Sequence, residues 1–133
     1  MLLGSFYTLV SFTCNPAGDG NLQCQATLRL EPSHPVYAGH FPGNPVVPGV
    51  CQIQIIRELA EKACNTRLVL TRSDTLKFLS MIVPQSSPEL AVDLQVRSSE
   101  QNLFDISASI HSGGTTFLKF RGMFENNLPW HES

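Results

Sequence analysis

The segment from Val50 to Cys64 constrains this chain more than any other. Within it, Val50, Ile53, Ile56, Leu59, Ala60 and Ala63 recur at helical spacing. Elsewhere the dominant apolar period is two. The spacing predicts one helix of about 15 residues, or roughly 22 Å. Pro48 suits its first turn, because the N–H that proline lacks would have had no partner there. Asn65 is an acceptable stop. A helix apolar over most of its surface needs cover on most sides.

The period-two segments can supply that cover. Leu22, Cys24, Ala26, Leu28 and Leu30 share one face, and Gln23, Gln25, Thr27 and Arg29 share the other. Leu90, Val92, Leu94 and Val96 repeat the pattern, as do Phe104, Ile106, Ala108 and Ile110. Leu118, Phe120 and Phe124 follow a turn at Ser112-Gly113-Gly114. An earlier strand precedes the turn-rich stretch Asn15 to Gly20, and Leu68 to Val83 reads as one long, bent strand. Each has one buried and one wetter face. The organisation is two strands, an irregular segment, one helix and four strands. The expected class is α+β, with a curved antiparallel sheet wrapped around one central helix.

With 133 residues, a single domain spanning 1–133 is expected. A net charge of −2 and scattered basic residues give no global attraction to nucleic acid or to an anionic membrane surface. No apolar run approaches the roughly 20 residues of a membrane span. The start, Met1 to Gly4, lacks the basic region of a secretion signal, so a cytoplasmic location is expected. The four cysteines, Cys14, Cys24, Cys51 and Cys64, have no metal-like spacing and are expected to be reduced thiols.

Between the second strand and the helix lies Tyr37-Ala38-Gly39-His40-Phe41-Pro42-Gly43-Asn44-Pro45-Val46-Val47-Pro48-Gly49-Val50. Its three prolines and three glycines fix an unusual backbone path, which makes sense if the loop must hold a side chain in place. Residues Gly39 to Val50 closely resemble the signature of the bacterial 3-hydroxyacyl-acyl-carrier-protein dehydratases, G-H-F-P-G-x-P-x-x-P-G-V. Lys77-Phe78 fits as well, and the resemblance covers roughly residues 5 to 125. It implies the hotdog fold and dehydration of (3R)-3-hydroxyacyl thioesters to trans-2-enoyl thioesters in fatty-acid or related acyl-chain synthesis. It also implies that His40 removes a proton from C2, near its natural pKa. Gly49 would donate a backbone N–H to the thioester carbonyl, aided by the positive end of the helix. Phe41, Val50 and the apolar helix face would line the acyl site. The implied partners are acyl carrier protein and a second subunit, as a homodimer or a multiple of dimers. Neither cofactor nor metal is implied.

The departure lies on the helix. The family's acid, fourteen residues after the histidine, is replaced here by Gln54, and its usual Gln four residues later is replaced by Glu58. A carboxyl can give a proton to a leaving hydroxyl, whereas a primary amide can only hydrogen-bond it. Three readings stay open. Gln54 orients substrate or water, Glu58 takes over as the acid from the same helix face, or acid catalysis is lost. The last would leave an accessory, acyl-binding subunit or another thioester reaction, such as that of a hotdog thioesterase.

Plainer readings apply elsewhere. Glu58 could pair with Lys62 on a solvent face. His34, His111 and His131 read as surface residues, and Cys51 as a small buried one. Phe117, Phe120 and Phe124 read as core or dimer face. Arg57, Arg72, Lys77 and Arg121 are candidates for docking an acidic carrier. Nothing in the pattern assigns Trp130.

Overall fold

Alternation becomes pairing in a computed structural model that describes residues 1–39, 43 and 45–126. Strands β1 (Tyr7–Pro16) and β2 (Leu22–Leu30) form a hairpin. A short turn of helix, α1 (Val36–Gly39), leads toward the long helix α2 (Gly49–Cys64). Then come β3 (Leu68–Phe78), β4 (Glu89–Ser98), β5 (Leu103–Ser112) and β6 (Thr115–Asn126). They form one six-stranded sheet in the order β1-β2-β4-β5-β6-β3, with every neighbouring pair antiparallel. The sheet and the helix packed on it make the hotdog fold expected from the sequence.

The apolar faces read from the sequence are the buried ones. Cys24, Ala26, Leu28 and Leu30 of β2, and Leu90, Val92, Leu94 and Val96 of β4, all join the core. So do Ile106, Ala108 and Ile110 of β5, and Phe117, Leu118, Phe120 and Phe124 of β6. The β5–β6 hairpin closes on Gly113 and Gly114, both at positive φ (55° and 85°). A two-residue turn that matches strand twist needs that conformation at both positions. Helix α2 lies against β2, β3 and β4 through Ile55, Ile56, Leu59 and Ala60. Asn65 ends it in the left-handed conformation, donating its N–H to the Glu61 carbonyl.

Three expectations are corrected. Strand β3 stops at Phe78 rather than Val83 and carries irregularities at Leu70/Arg72 and Ser73/Thr75. Leu79 still donates its N–H to Phe117, but Ile82 turns into the core and accepts from Val47 N–H. Pro48 sits one place before the helix, as its N-cap. Cys14 and Cys24 are not free thiols but a disulfide, because the β1–β2 register puts them directly opposite, 4.1 Å apart at Cα. Cysteines ten residues apart become neighbours once a hairpin forms between them.

Candidate active site

Helix α2 is covered on one side only. Its other side, from Gly49 and Val50 through Ile53, Gln54 and Arg57, lines an apolar cleft of about 700 Å3. Val69, Leu70, Leu76 and Phe78 of β3, with Phe124 of β6, form the opposite wall. Val50 is 79% exposed and Phe78 50% exposed, so the cleft is open to water. Strand β3 is the sheet edge on this side. The cleft therefore combines exposed apolar side chains with an edge lacking a neighbouring strand, a combination that marks interaction or ligand surfaces.

Gly49 begins the helix at the mouth of the cleft. No side chain caps this end, because Pro48 carries none that could. The first-turn N–H groups of a helix have no acceptor within the helix, and they sit at its positive end. A Cβ on residue 49 would lie 2.8 Å from Cζ of Phe78, so glycine keeps the gap between α2 and β3 open.

Gln54 and Glu58 meet one turn apart. Gln54 Nε2 donates to Glu58 Oε2 at 2.8 Å. Glu58 is only 6% exposed. Its Oε2 also accepts the Leu2 N–H (2.6 Å), while Oε1 accepts the Leu3 N–H (2.9 Å) and the Tyr7 hydroxyl (3.0 Å). Four donors thus converge on one carboxylate. Its solvent-face pairing with Lys62 is overturned: Glu58 turns inward toward the start of the chain. Burial, then the Glu58 charge, then the hydrogen bond to it push the Tyr7 hydroxyl well above the ordinary tyrosine range.

The remaining candidates divide. His40 and Phe41 lie outside the described residues, as do His131 and Trp130. His34 and His111 are half-buried and bonded rather than freely solvated. His34 Nδ1 accepts the Val36 N–H, and His111 Nε2 lies 2.9 Å from Asp93. Cys51 is half-buried, and burial pushes its thiol up, the opposite of nucleophile activation. Arg57 donates to the Leu68 carbonyl and lies 3.4 Å from Glu61. Arg72 and Arg121 pair with Asp74 and Asp105. Lys77 joins no ion pair among the described residues.

Sequence reasoning missed Tyr7 and the opposite cleft wall. The apolar residues Leu76 and Phe78, at alternate positions of an edge strand, were the available signal. The Leu2 and Leu3 donors gave none, since every residue except proline has a backbone N–H.

An antiparallel sheet carrying one long helix, with an apolar cleft beside the start of that helix, defines a hotdog protein. The chain belongs to the ApeI-like family, whose sequence model, described as ApeI dehydratase, matches residues 17–115. It is similar to the 3-hydroxyacyl-[acyl-carrier-protein] dehydratase FabZ of Acetivibrio thermocellus, at 34% identity over 71 residues (46% of this chain, 47% of that protein). FabZ of Alkaliphilus metalliredigens is 32% identical over 69 residues (47% of each chain). The chain spans about half the length of the curated relatives it matches. Among solved structures, the dehydratase heterocomplex ApeI:P from Xenorhabdus doucetiae superposes with TM-score 0.63 at 19% identity, over 90% of this chain and 97% of that one. An uncharacterized protein from Erwinia carotovora subsp. atroseptica gives 0.62 at 21%, over 90% and 94%. The E. coli PaaI protein from the phenylacetic acid degradation operon gives 0.55 at 18%, over 87% and 79%. At such identities these likenesses speak for the fold alone.

Proposed function

We propose that this chain dehydrates (3R)-3-hydroxyacyl thioesters to trans-2-enoyl thioesters, with the acyl group on acyl carrier protein, in fatty-acid or related acyl-chain synthesis. The observation that carries the reading is the apolar cleft in which Gly49, at the uncapped start of α2, and Gln54 stand on one wall. His40 removes the C2 proton. The Gly49 N–H stabilises the negative charge that develops on the thioester oxygen. The C3–O bond then breaks, and the departing hydroxyl needs a proton to leave as water. Gln54 can bind that hydroxyl but cannot protonate it. The imidazolium formed at His40 returns the proton. Glu58, with four donors already on it, acts as a support for Gln54 rather than as the acid. Phe41 and Val50 line the acyl chain's path. A second copy of the chain, laid against the β3 edge, closes the cleft and completes each site in a homodimer or a multiple of dimers.

One observation favours a second reading. An amide in place of an acid suits an accessory subunit that binds acyl groups beside an active homologue. The Xenorhabdus doucetiae structure is by its description a dehydratase heterocomplex.

The test is turnover of crotonyl and 3-hydroxybutyryl pantetheine thioesters. Activity in the natural protein that is lost in His40→Ala is the expected result. An inactive natural protein that gains turnover with Gln54→Glu would overturn the dehydratase reading in favour of the accessory one.

A further inference from the structure

The hydrogen bond between Gln54 and Glu58 fixes more than a position. A primary amide has a donor end and an acceptor end, and a side chain can usually turn either outward. A carboxylate only accepts. The end of Gln54 that meets Glu58 at 2.8 Å must therefore be its NH2. Glu58 cannot readily rotate to offer anything else, because Leu2, Leu3 and Tyr7 hold both of its oxygens from the other side. Burial at 6% exposure keeps water from replacing these partners. Gln54 Oε1 accepts no hydrogen bond from any described residue, and Gln54 is part of the cleft wall.

We infer that Glu58 is a positioning residue that locks the Gln54 amide with its carbonyl oxygen toward the cleft, so that the site selects acyl groups bearing a hydrogen-bond donor, a hydroxyl, over those that are bare or carry only an acceptor. This rests on the reading of the cleft as an acyl-thioester site. It adds that the exchange of Gln and Glu along α2 changes what the helix offers the ligand. A carboxyl at position 54 could donate a proton outright. A locked amide recognises the hydroxyl by accepting from it. Apolar walls on the other sides supply no competing acceptor from Val50, Ile53, Leu76 or Phe78.

The experiment measures equilibrium binding of three pantetheine thioesters in a His40→Ala background, which removes turnover. They are 3-hydroxybutyryl (donor and acceptor), 3-oxobutyryl (acceptor only) and butyryl (neither). The 3-hydroxy compound is expected to bind about fivefold more tightly than either other, the effect of one net hydrogen bond. Gln54→Leu and Glu58→Leu should each erase that preference. Glu58→Gln, whose single oxygen would have to serve four donors, should weaken that preference as well. Equal binding of the 3-oxo and 3-hydroxy compounds, or a preference that survives Glu58→Leu, would overturn the inference. Failure of all three to bind would instead sink the acyl-thioester reading. The lock itself is read independently by NMR of the natural protein. One Gln54 side-chain N–H should exchange with solvent about tenfold more slowly than those of exposed glutamines, and two equally fast N–H protons would refute it.

Discussion

The two sides of helix α2 have opposite surroundings. On one side Ile55, Ile56, Leu59 and Ala60 are all at most 1% exposed against the sheet. On the other, Val50 is 79% exposed and faces Leu76 and Phe78, which are 44% and 50% exposed. Both sides are apolar, yet only one contributes its full burial to the fold of this chain. Apolar surface left in water costs about 25 cal/mol per Å2, so its retention points to a use other than folding the single chain. The closed side holds the structure, and the open side is shaped for something to enter or cover it.

The largest expected effect tests the closed side. Leu94, 1% exposed and paired with both Cys24 and Ala108, should cost about 2–5 kcal/mol on truncation to alanine, through lost burial and a residual cavity. Phe78→Ala on the open side should cost less than about 1 kcal/mol in the monomer. Urea unfolding midpoints measure both, and equal losses would erase the distinction between the two sides. Next comes Gly122→Ala. A Cβ there would lie 2.7 Å from the Arg72 carbonyl oxygen, which is backbone, and equally close to Phe120 Cζ. Backbone in a paired strand cannot step aside, so a loss of about 1–3 kcal/mol is expected in the same assay.

A third prediction concerns the cluster that ties the start of the chain to Glu58. The Tyr7 hydroxyl ionises far later in the folded protein than in the unfolded chain, where its value is 10.0. Its contribution is therefore complete below pH 10. Above that, the unfolded state releases a proton that the folded state keeps, and stability falls as pH rises. The slope from this one group approaches about 1.4 kcal/mol per pH unit. Tyr37, also in the core and also raised by burial, adds a slope of the same sign. Tyr7→Phe should make the unfolding free energy between pH 10 and 11 measurably flatter than in the natural protein. An unchanged slope would mean that the Tyr7 hydroxyl is not buried against Glu58.

How much of this was legible depended on what kind of partner each residue has. The core faces of β2, β4 and β5 were readable because side-chain alternation is itself the signal of one buried face. The end of β3 was not. Leu79, Met81 and Ile82 prolong an apolar run, but only Ile82 enters the core, from a loop. The cleft could be anticipated from the Gly39–Val50 motif, although its His40 and Phe41 lie outside the described residues. Glu58 was misjudged because its partners include the backbone amides of Leu2 and Leu3, brought in from 56 and 55 residues away. Lys62 at i+4 was the partner that local spacing could offer. The Cys14–Cys24 pair was within reach, since counting outward from the Gly18–Gly20 turn sets the two opposite.

The smallest effect on stability should come from Gly49→Ala, and it separates the two sides most cleanly. The new methyl would meet Phe78 Cζ at 2.8 Å, a closer approach than can be tolerated unrelaxed. Here, unlike at Gly122, the obstacle is the far end of a side chain that is half in water. The ring can swing toward solvent at little cost, and alanine favours a helix over glycine by about 1 kcal/mol. The two effects oppose each other, so the net change should stay within about 1 kcal/mol. The cleft cannot escape so easily, because the displaced ring and the added methyl both occupy the gap between α2 and β3. Binding of butyryl pantetheine should weaken by about tenfold or more while the unfolding midpoint barely moves. A large loss of stability would mean that α2 and β3 are held together as rigidly on this side as on the other, and that the cleft is a packing seam rather than a site.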